Sequence, residues 1–252
     1  FFYYLADEKL PEGSLVSAPL FKKKVEGVVI ESKDDFFRAN GIVLKKIDKI
    51  LEKSFLTKNQ LELAKYISEY YVVSLGIVMK GFVVKRMKNK PAQGWSALGG
   101  KQEMQNIDIK KIILTNEQNK AVKEIAKKNI FKFLLFGPAG SGKTEVYIHS
   151  ILELKKQNPE NQFLILVPEK TLTPQAMERY GAYFSEKEIA LLSSNLSKSV
   201  FFTNWQRIKS GEAKIIIGTR MAVFAPFQKL ALVVIDEEQD MSFKQWEMNP
   251  RY

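Results

Sequence analysis

Residues 137–144 read Gly137, Pro138, Ala139, Gly140, Ser141, Gly142, Lys143, Thr144. Glycines at this spacing let successive backbone N–H groups turn inward around a polyphosphate. Lys143 can reach the β- and γ-phosphates of a nucleoside triphosphate, and the Thr144 hydroxyl can hold Mg²⁺. A second element carries acids: the apolar run Leu232–Ile235 ends in Asp236-Glu237-Glu238-Gln239. A carboxylate at the C-terminal end of a buried parallel strand lies near such a loop, because ligands bind at the strands' carboxyl edge. Asp236 is then the second Mg²⁺ partner, and Glu237 is placed to orient or deprotonate an attacking water. Lys143, Asp236 and Glu237 form the expected catalytic set. Each element alone has an ordinary explanation, a Gly-rich turn or a solvated strand exit. Together they point to hydrolysis of a nucleoside triphosphate.

The elements that must position these residues are legible from residue 111 onward. A helix is expected over Asn116–Lys128, a strand over Phe133–Phe136 and a helix from Lys143 to about Gln157. Strand Phe163–Val167 then leads to a helix starting near Pro174, where proline suits the first turn. Strand Ile189–Leu192, helix Val200–Lys209 and strands Lys214–Ile217 and Ala231–Ile235 complete the series. Repeated strand–helix units of this length imply an α/β fold with a parallel sheet covered on both faces.

Residues 1–84 read differently. Short strands punctuated by glycine and proline fill 1–56, with Val25–Ile30 the clearest. Thr57 and Gln60 make a capping box that opens a helix, with Leu63, Ile67, Tyr70 and Tyr71 as its apolar stripe. A strand-rich tail is expected to about Val84, giving a small β-rich domain with one helix. Residues 85–110 contain a basic run, Pro91 and Gly99-Gly100 with little periodicity, and read as a linker to a third segment, 111–252.

The chain has 252 residues and no cysteine, which excludes disulfides and Cys-ligated zinc within it. His149 is the only histidine, so a His-based catalytic or metal site is not expected. No apolar run approaches the ~20 residues of a membrane span, and no signal peptide is visible, although the chain begins at Phe1 rather than Met. A cytoplasmic location is the default expectation. Net charge is +11, with 19 Lys+Arg against 13 Asp+Glu in residues 1–110 and 20 against 15 in the remainder. Both halves suit a polyanionic partner, although a lysine-rich proteome would produce the same charge.

Several stretches resemble the PriA family of primosomal replication-restart DNA helicases, motors of superfamily 2. Gly137–Tyr147 resembles the family's first motif, including its Thr-Glu-Val-Tyr continuation. Val167–Gln175 resembles the next motif, and Gly211–Arg220 followed by Phe224–Phe227 resembles its Gly-Thr-Arg region. Asp236–Asp240 with Ser242–Gln245 is similar to its second ATPase motif running into an aromatic-rich loop. Departures occur at Gln239, where the family has His, and at Ser193-Ser194-Asn195, where it tends to His-Ser-Gly.

The resemblance implies a RecA-like P-loop motor lobe preceded by a small β-rich domain that binds a DNA 3′ end. It implies an ATP-dependent 3′→5′ DNA helicase acting at abandoned replication forks, with ATP and Mg²⁺ at the site. Implied partners are forked and single-stranded DNA, primosome proteins and single-strand-binding protein, with no membrane and a nucleoid-associated location. The second motor lobe, its arginine finger and a zinc-binding Cys-rich region are expected beyond Tyr252, and a winged-helix domain between the two segments is reduced or absent. A non-catalytic fork-binding module, another superfamily 2 translocase and a small-molecule kinase are the alternatives. Gly218-Thr219-Arg220 and the basic surface argue against the kinase.

The resemblance also assigns residues. Gln118 would read adenine, although Thr115 and Gln118 equally make a capping box. Thr173, Gln175, Thr219 and Arg220 would contact DNA phosphate, which is sequence-independent as a motor requires; Thr173 before Pro174 is also a natural N-cap. Phe243, Lys244 and Trp246 would form a DNA-sensing loop, or pack against an absent lobe. Phe2 would stack a terminal base and Lys45 hold its phosphate, with structural core the competing role for Phe2. Tyr3 replaces an Asp of the family, and Phe21 stands where a Gly is expected.

Overall fold

The computed structural model describes residues 2–33, 44–84, 112–127 and 132–243, with the backbone alone of Pro174 and Gln175. Two compact units divide between Val83 and Val84. The expected linker 85–110, with Lys244 and Trp246, lies outside the described residues.

In the first unit, β2 (Leu15–Leu20) sits between β3 (Lys23–Val28) and β5 (Lys49–Glu52), antiparallel to both. A separate parallel pair joins β1 (Tyr4–Leu5) to β4 (Lys45–Lys46). Phe21 opens the two-residue turn between β2 and β3 at φ 53°. Left-handed backbone at the first turn position is what glycine supplies without strain, so the departure from glycine noted in the sequence has a conformational reading. The Thr57–Gln60 capping box forms as expected and opens α1 (Lys58–Tyr70).

Of two expectations in this unit, the α1 stripe holds only at Ile67 and the strand-rich tail fails. The buried face of α1 is Gln60, Leu61, Ala64 and Ile67, while Tyr70 is 65% exposed. The strand-rich tail is a helix, α2 (Leu75–Phe82), which buries Val78, Met79 and Phe82. Short apolar runs do not distinguish strand from buried helix by periodicity. Spacing at i, i+1 and i+4 on one helical face decides it here.

In the second unit, α3 (Asn116–Ala126) and α4 (Lys143–Gln157) precede a parallel sheet. Its strands are β6 (Gln162–Leu166), β7 (Ile189–Leu192), β8 (Ile215–Gly218) and β9 (Leu230–Ile235), in the order β7-β8-β6-β9. Helices α5 (Pro174–Tyr183) and α6 (Lys198–Lys209) are crossovers. Alternate residues of β6, β7 and β8 feed two clusters, and β9 adds Val234 to the first. Phe163, Ile165, Leu191, Ile215 and Ile217 pack with Ile148, Ile151 and Leu154 of α4 and Met177 and Tyr180 of α5. Leu164, Leu166, Ala190, Leu192 and Ile216 pack with Ile208 of α6 and with Ala222 and Phe227. Apolar burial on both faces explains the near-continuous apolar runs of β6, β7 and β8.

The expected strand Phe133–Phe136 is not formed. The segment has no regular structure, and Leu134 and Phe136 are 81% and 93% exposed. A strand needs a neighbour to complete its backbone bonds. Among the described residues, β9 is bonded only to β6, and no strand takes its outer edge.

Candidate nucleotide and nucleic-acid site

All four strands run the same way, so the loops after β6, β8 and β9 emerge at one edge, where ligands of such sheets bind. The Gly137–Thr144 loop delivers α4 with its N-terminus at Gly142, whose φ of 81° is the left-handed conformation glycine adopts freely. Lys143 Nζ donates to the loop's own carbonyls, Gly137 at 2.9 Å and Pro138 at 3.3 Å.

Gln118 uses both ends of its amide, one on its own helix cap and one on this loop. Its Oε1 accepts from Thr115 N at 2.8 Å as part of a complete capping box. Its Nε2 donates to the Ser141 carbonyl at 2.9 Å. The capping role foreseen in the sequence is present, and Gln118 additionally pins the phosphate loop.

Asp236 follows β9, with its N–H donating to the Leu166 carbonyl at 2.9 Å and its Oδ1 accepting from Tyr147 Oη at 3.2 Å. Burial raises its pKa above the usual carboxylate range, assisted by Glu237 and opposed by the Tyr147 bond and by the Lys143 charge. Burial, with the neighbouring Asp236 charge, also raises the Tyr147 hydroxyl, so this phenol donates at neutral pH. Glu237 stands at φ 51°, an uncommon position for a non-glycine residue, and its Oε2 accepts from Gln239 Nε2 at 2.7 Å.

The residues present fit an ATP·Mg²⁺ group. The donor set combines a left-handed glycine loop at a helix N-terminus, a lysine, a threonine hydroxyl and a half-buried aspartate held by a phenol.

Sequence reasoning missed Tyr147 and Glu145 as members of this site. Both lie in the first turns of α4, and their spacing from Thr144 was the available signal. Glu145 is buried, and its carboxylate accepts from Arg179 Nε at 2.8 Å and Tyr183 Oη at 2.6 Å. This ties α4 to α5.

The expected DNA residues are placed unevenly. Arg220 is half-buried and donates from Nη1 to the Ser242 carbonyl at 3.3 Å. Thr219 is buried. Thr173 Oγ1 caps α5 by accepting from Ala176 N at 3.2 Å, and nothing is described of the Gln175 side chain. Phe243 is half-buried against the second sheet cluster. In the first unit, Tyr4 pairs with Lys45, and Phe2 lies two residues before Tyr4, ahead of β1. Phe2 is 67% exposed, so it is not a core residue.

A Rossmann-type edge bearing a phosphate loop and an Asp-Glu pair defines a nucleotide-dependent motor lobe. Residues 115–250 match the DEAD/DEAH box helicases, and the chain belongs to that family. Residues 1–94 match a 3′ DNA-binding domain of PriA. The chain is 36% identical to replication restart protein PriA of Helicobacter pylori over 96% of its own length and 35% of that protein's. It is 41% identical to the Bacillus subtilis protein of the same name over 55% of its length and 17% of the relative's, and 32% identical to that of Rickettsia conorii over 95% and 35%. The chain thus spans about a third of the length of the relatives it matches along most of its own. Among the described residues, no helix is long and apolar enough to cross a membrane.

Proposed function

We propose that this chain is the 3′-end-binding and first motor portion of an ATP-dependent 3′→5′ DNA helicase that recognises abandoned forks and restarts replication. The supporting observation is the meeting of Lys143 and Tyr147 on α4 with Asp236 after β9, at the sheet edge where β6 and β8 also end. Gly137–Thr144 would cradle the triphosphate, and Thr144 and Asp236 would hold a Mg²⁺ ion, which would supply positive charge to the transferring phosphoryl group. Tyr147 fixes one Asp236 oxygen. Glu237 accepts a hydrogen bond from the attacking water and orients it. Arg220, with Thr173 and Thr219 nearby in sequence to the strand ends, serves the DNA backbone. Phe2 and Lys45 serve the DNA 3′ end in the first unit. Forked and single-stranded DNA, primosome proteins and single-strand-binding protein are the partners this reading carries, in a cytoplasmic, nucleoid-associated setting.

The Gln239 bond to Glu237 favours one second reading: a fork-binding module that uses nucleotide only as a conformational ligand. Glu237→Gln in the full-length natural protein that carries this sequence separates the two. A helicase loses about 10²–10⁴-fold in DNA-stimulated ATP turnover, the range for a positioned general base. Unchanged turnover would favour the module.

A further inference from the structure

The short turn Glu169–Thr171 after β6 carries Lys170, and the segment after β9 carries Asp240. Lys170 Nζ lies 3.3 Å from Asp240 Oδ2, with the lysine side chain 81% exposed and the aspartate 21%. Asp240 is firmly built in. Its Oδ1 accepts from Ser242 N at 2.8 Å, and its own N–H donates to the Glu237 carbonyl at 2.8 Å. Two residues on, the Ser242 carbonyl accepts from Arg220. Two cations, each from the carboxyl end of a different parallel strand, therefore dock on segment 240–242. That segment is bonded in turn to the backbone of Glu237.

Nothing in the nucleotide site accounts for Lys170. A long, largely solvated ammonium exchanges one anionic partner for another at little cost, because an exposed ion pair is weak. A phosphodiester oxygen is chemically equivalent to the Asp240 carboxylate as its partner. Two states of one element follow: Lys170 on Asp240, or Lys170 on phosphate. A ligand that binds only the second state shifts the population toward it.

We propose that Lys170 is a phosphate ligand for single-stranded DNA, parked on Asp240 when DNA is absent, and that its transfer to DNA loosens segment 240–242 behind Glu237. Arg220 follows the same route by exchanging the Ser242 carbonyl for phosphate. The inference rests on the helicase reading above, and it adds a contact and a relay that reading does not require.

The test uses the full-length natural protein that carries this sequence. ATP turnover is measured with and without single-stranded oligothymidylate, and oligothymidylate binding is measured across a salt series. Lys170→Ala raises DNA-independent turnover about 1.4- to 5-fold, the worth of an exposed ion pair. The same change weakens binding and reduces the slope of log affinity against log salt by about 0.7, one phosphate contact on a single strand. Lys170→Arg retains the wild-type slope. Asp240→Asn, which keeps the oxygen that caps Ser242, raises DNA-independent turnover by a similar factor and leaves the salt slope intact. The double variant rises no further than either single one. Wild-type salt slope in Lys170→Ala overturns the phosphate contact, and wild-type turnover in both single variants overturns the relay. If the wild-type protein shows no DNA-stimulated turnover, the helicase reading fails, while the salt slope still decides the Lys170 contact.

Discussion

Gln162 opens β6 fully buried, and every polar atom of its amide is used. Nε2 donates to the carbonyls of Ile208 and Ala213, both at 2.9 Å. Oε1 accepts from Gln228 N at 2.7 Å and Lys229 N at 3.3 Å. One side chain thereby fastens the starts of β6 and β9 to the end of α6 and the approach to β8. Gln162→Met keeps the length and removes all four bonds. The Ala213 carbonyl, in a fully buried residue, loses its donor, worth about 1–3 kcal/mol. The Ile208 carbonyl still accepts from Gly211 N at 3.1 Å, so its loss is nearer 0.5–1 kcal/mol. Gln228 and Lys229 are exposed residues whose N–H groups can turn to water. The sum is about 3 kcal/mol, or roughly 6–12 °C in Tm for a unit of this size. Urea denaturation followed by far-ultraviolet circular dichroism measures it. A loss below about 1 kcal/mol at unchanged m would refute the reasoning. Gln162→Glu should be worse than Met, because a carboxylate oxygen then faces two carbonyl oxygens.

Three further outcomes are expected. In Gly218→Ala, the new Cβ meets the Leu192 carbonyl oxygen at 2.3 Å and Ala222 Cβ at 2.7 Å, so thermal denaturation should show at least about 1–3 kcal/mol of overpacking loss. Arg179→Met strips two bonds from the buried Glu145 carboxylate, and because Arg179 is 43% exposed the expected loss is only about 2 kcal/mol; combined with Glu145→Gln it should cost less than the sum, as a double-mutant cycle reads. Asp236 has a raised pKa from burial, so the folded protein holds its proton more tightly than the unfolded chain does. Ionised Asp236 therefore opposes folding above its folded pKa, and the penalty vanishes below the ordinary value of 3.8. Asp236→Asn should raise Tm at neutral pH, with the gain shrinking as pH falls; an equal or lower Tm at neutral pH would contradict this.

Much of the fold was legible because its signals are local. Glycine spacing, two capping boxes and Pro174 fix the starts of α1, α3, α4 and α5 through backbone bonds that adjacent residues complete. Strands β6 to β8 were legible because burial on both faces leaves unbroken apolar runs, and β9 because its run Leu230–Ile235 is apolar although one face stays open. What failed depended on distant partners. Phe133–Phe136 has a strand's composition, but strand formation is decided by a neighbouring ladder, which composition does not encode. The α2 segment is apolar but for Lys80, and only its packing distinguishes helix from strand. Within the site, Lys143, Asp236 and Glu237 were readable as residue types. Tyr147 on Asp236, Gln118 on Ser141 and Lys170 on Asp240 join positions separated in sequence, and only the fold brings them together.

The open side of β9 has a practical consequence. Among the described residues no strand pairs with its outer edge, which is flanked by the half-exposed side chains of Val233 and Ile235, a template on which another extended chain can add. Concentrated solutions of this span are therefore prone to edge-to-edge aggregation and stepwise oligomers, independent of any nucleotide or DNA. A lysine at position 233 is the conservative remedy, since it guards the edge with charge while leaving the buried Val234 in place.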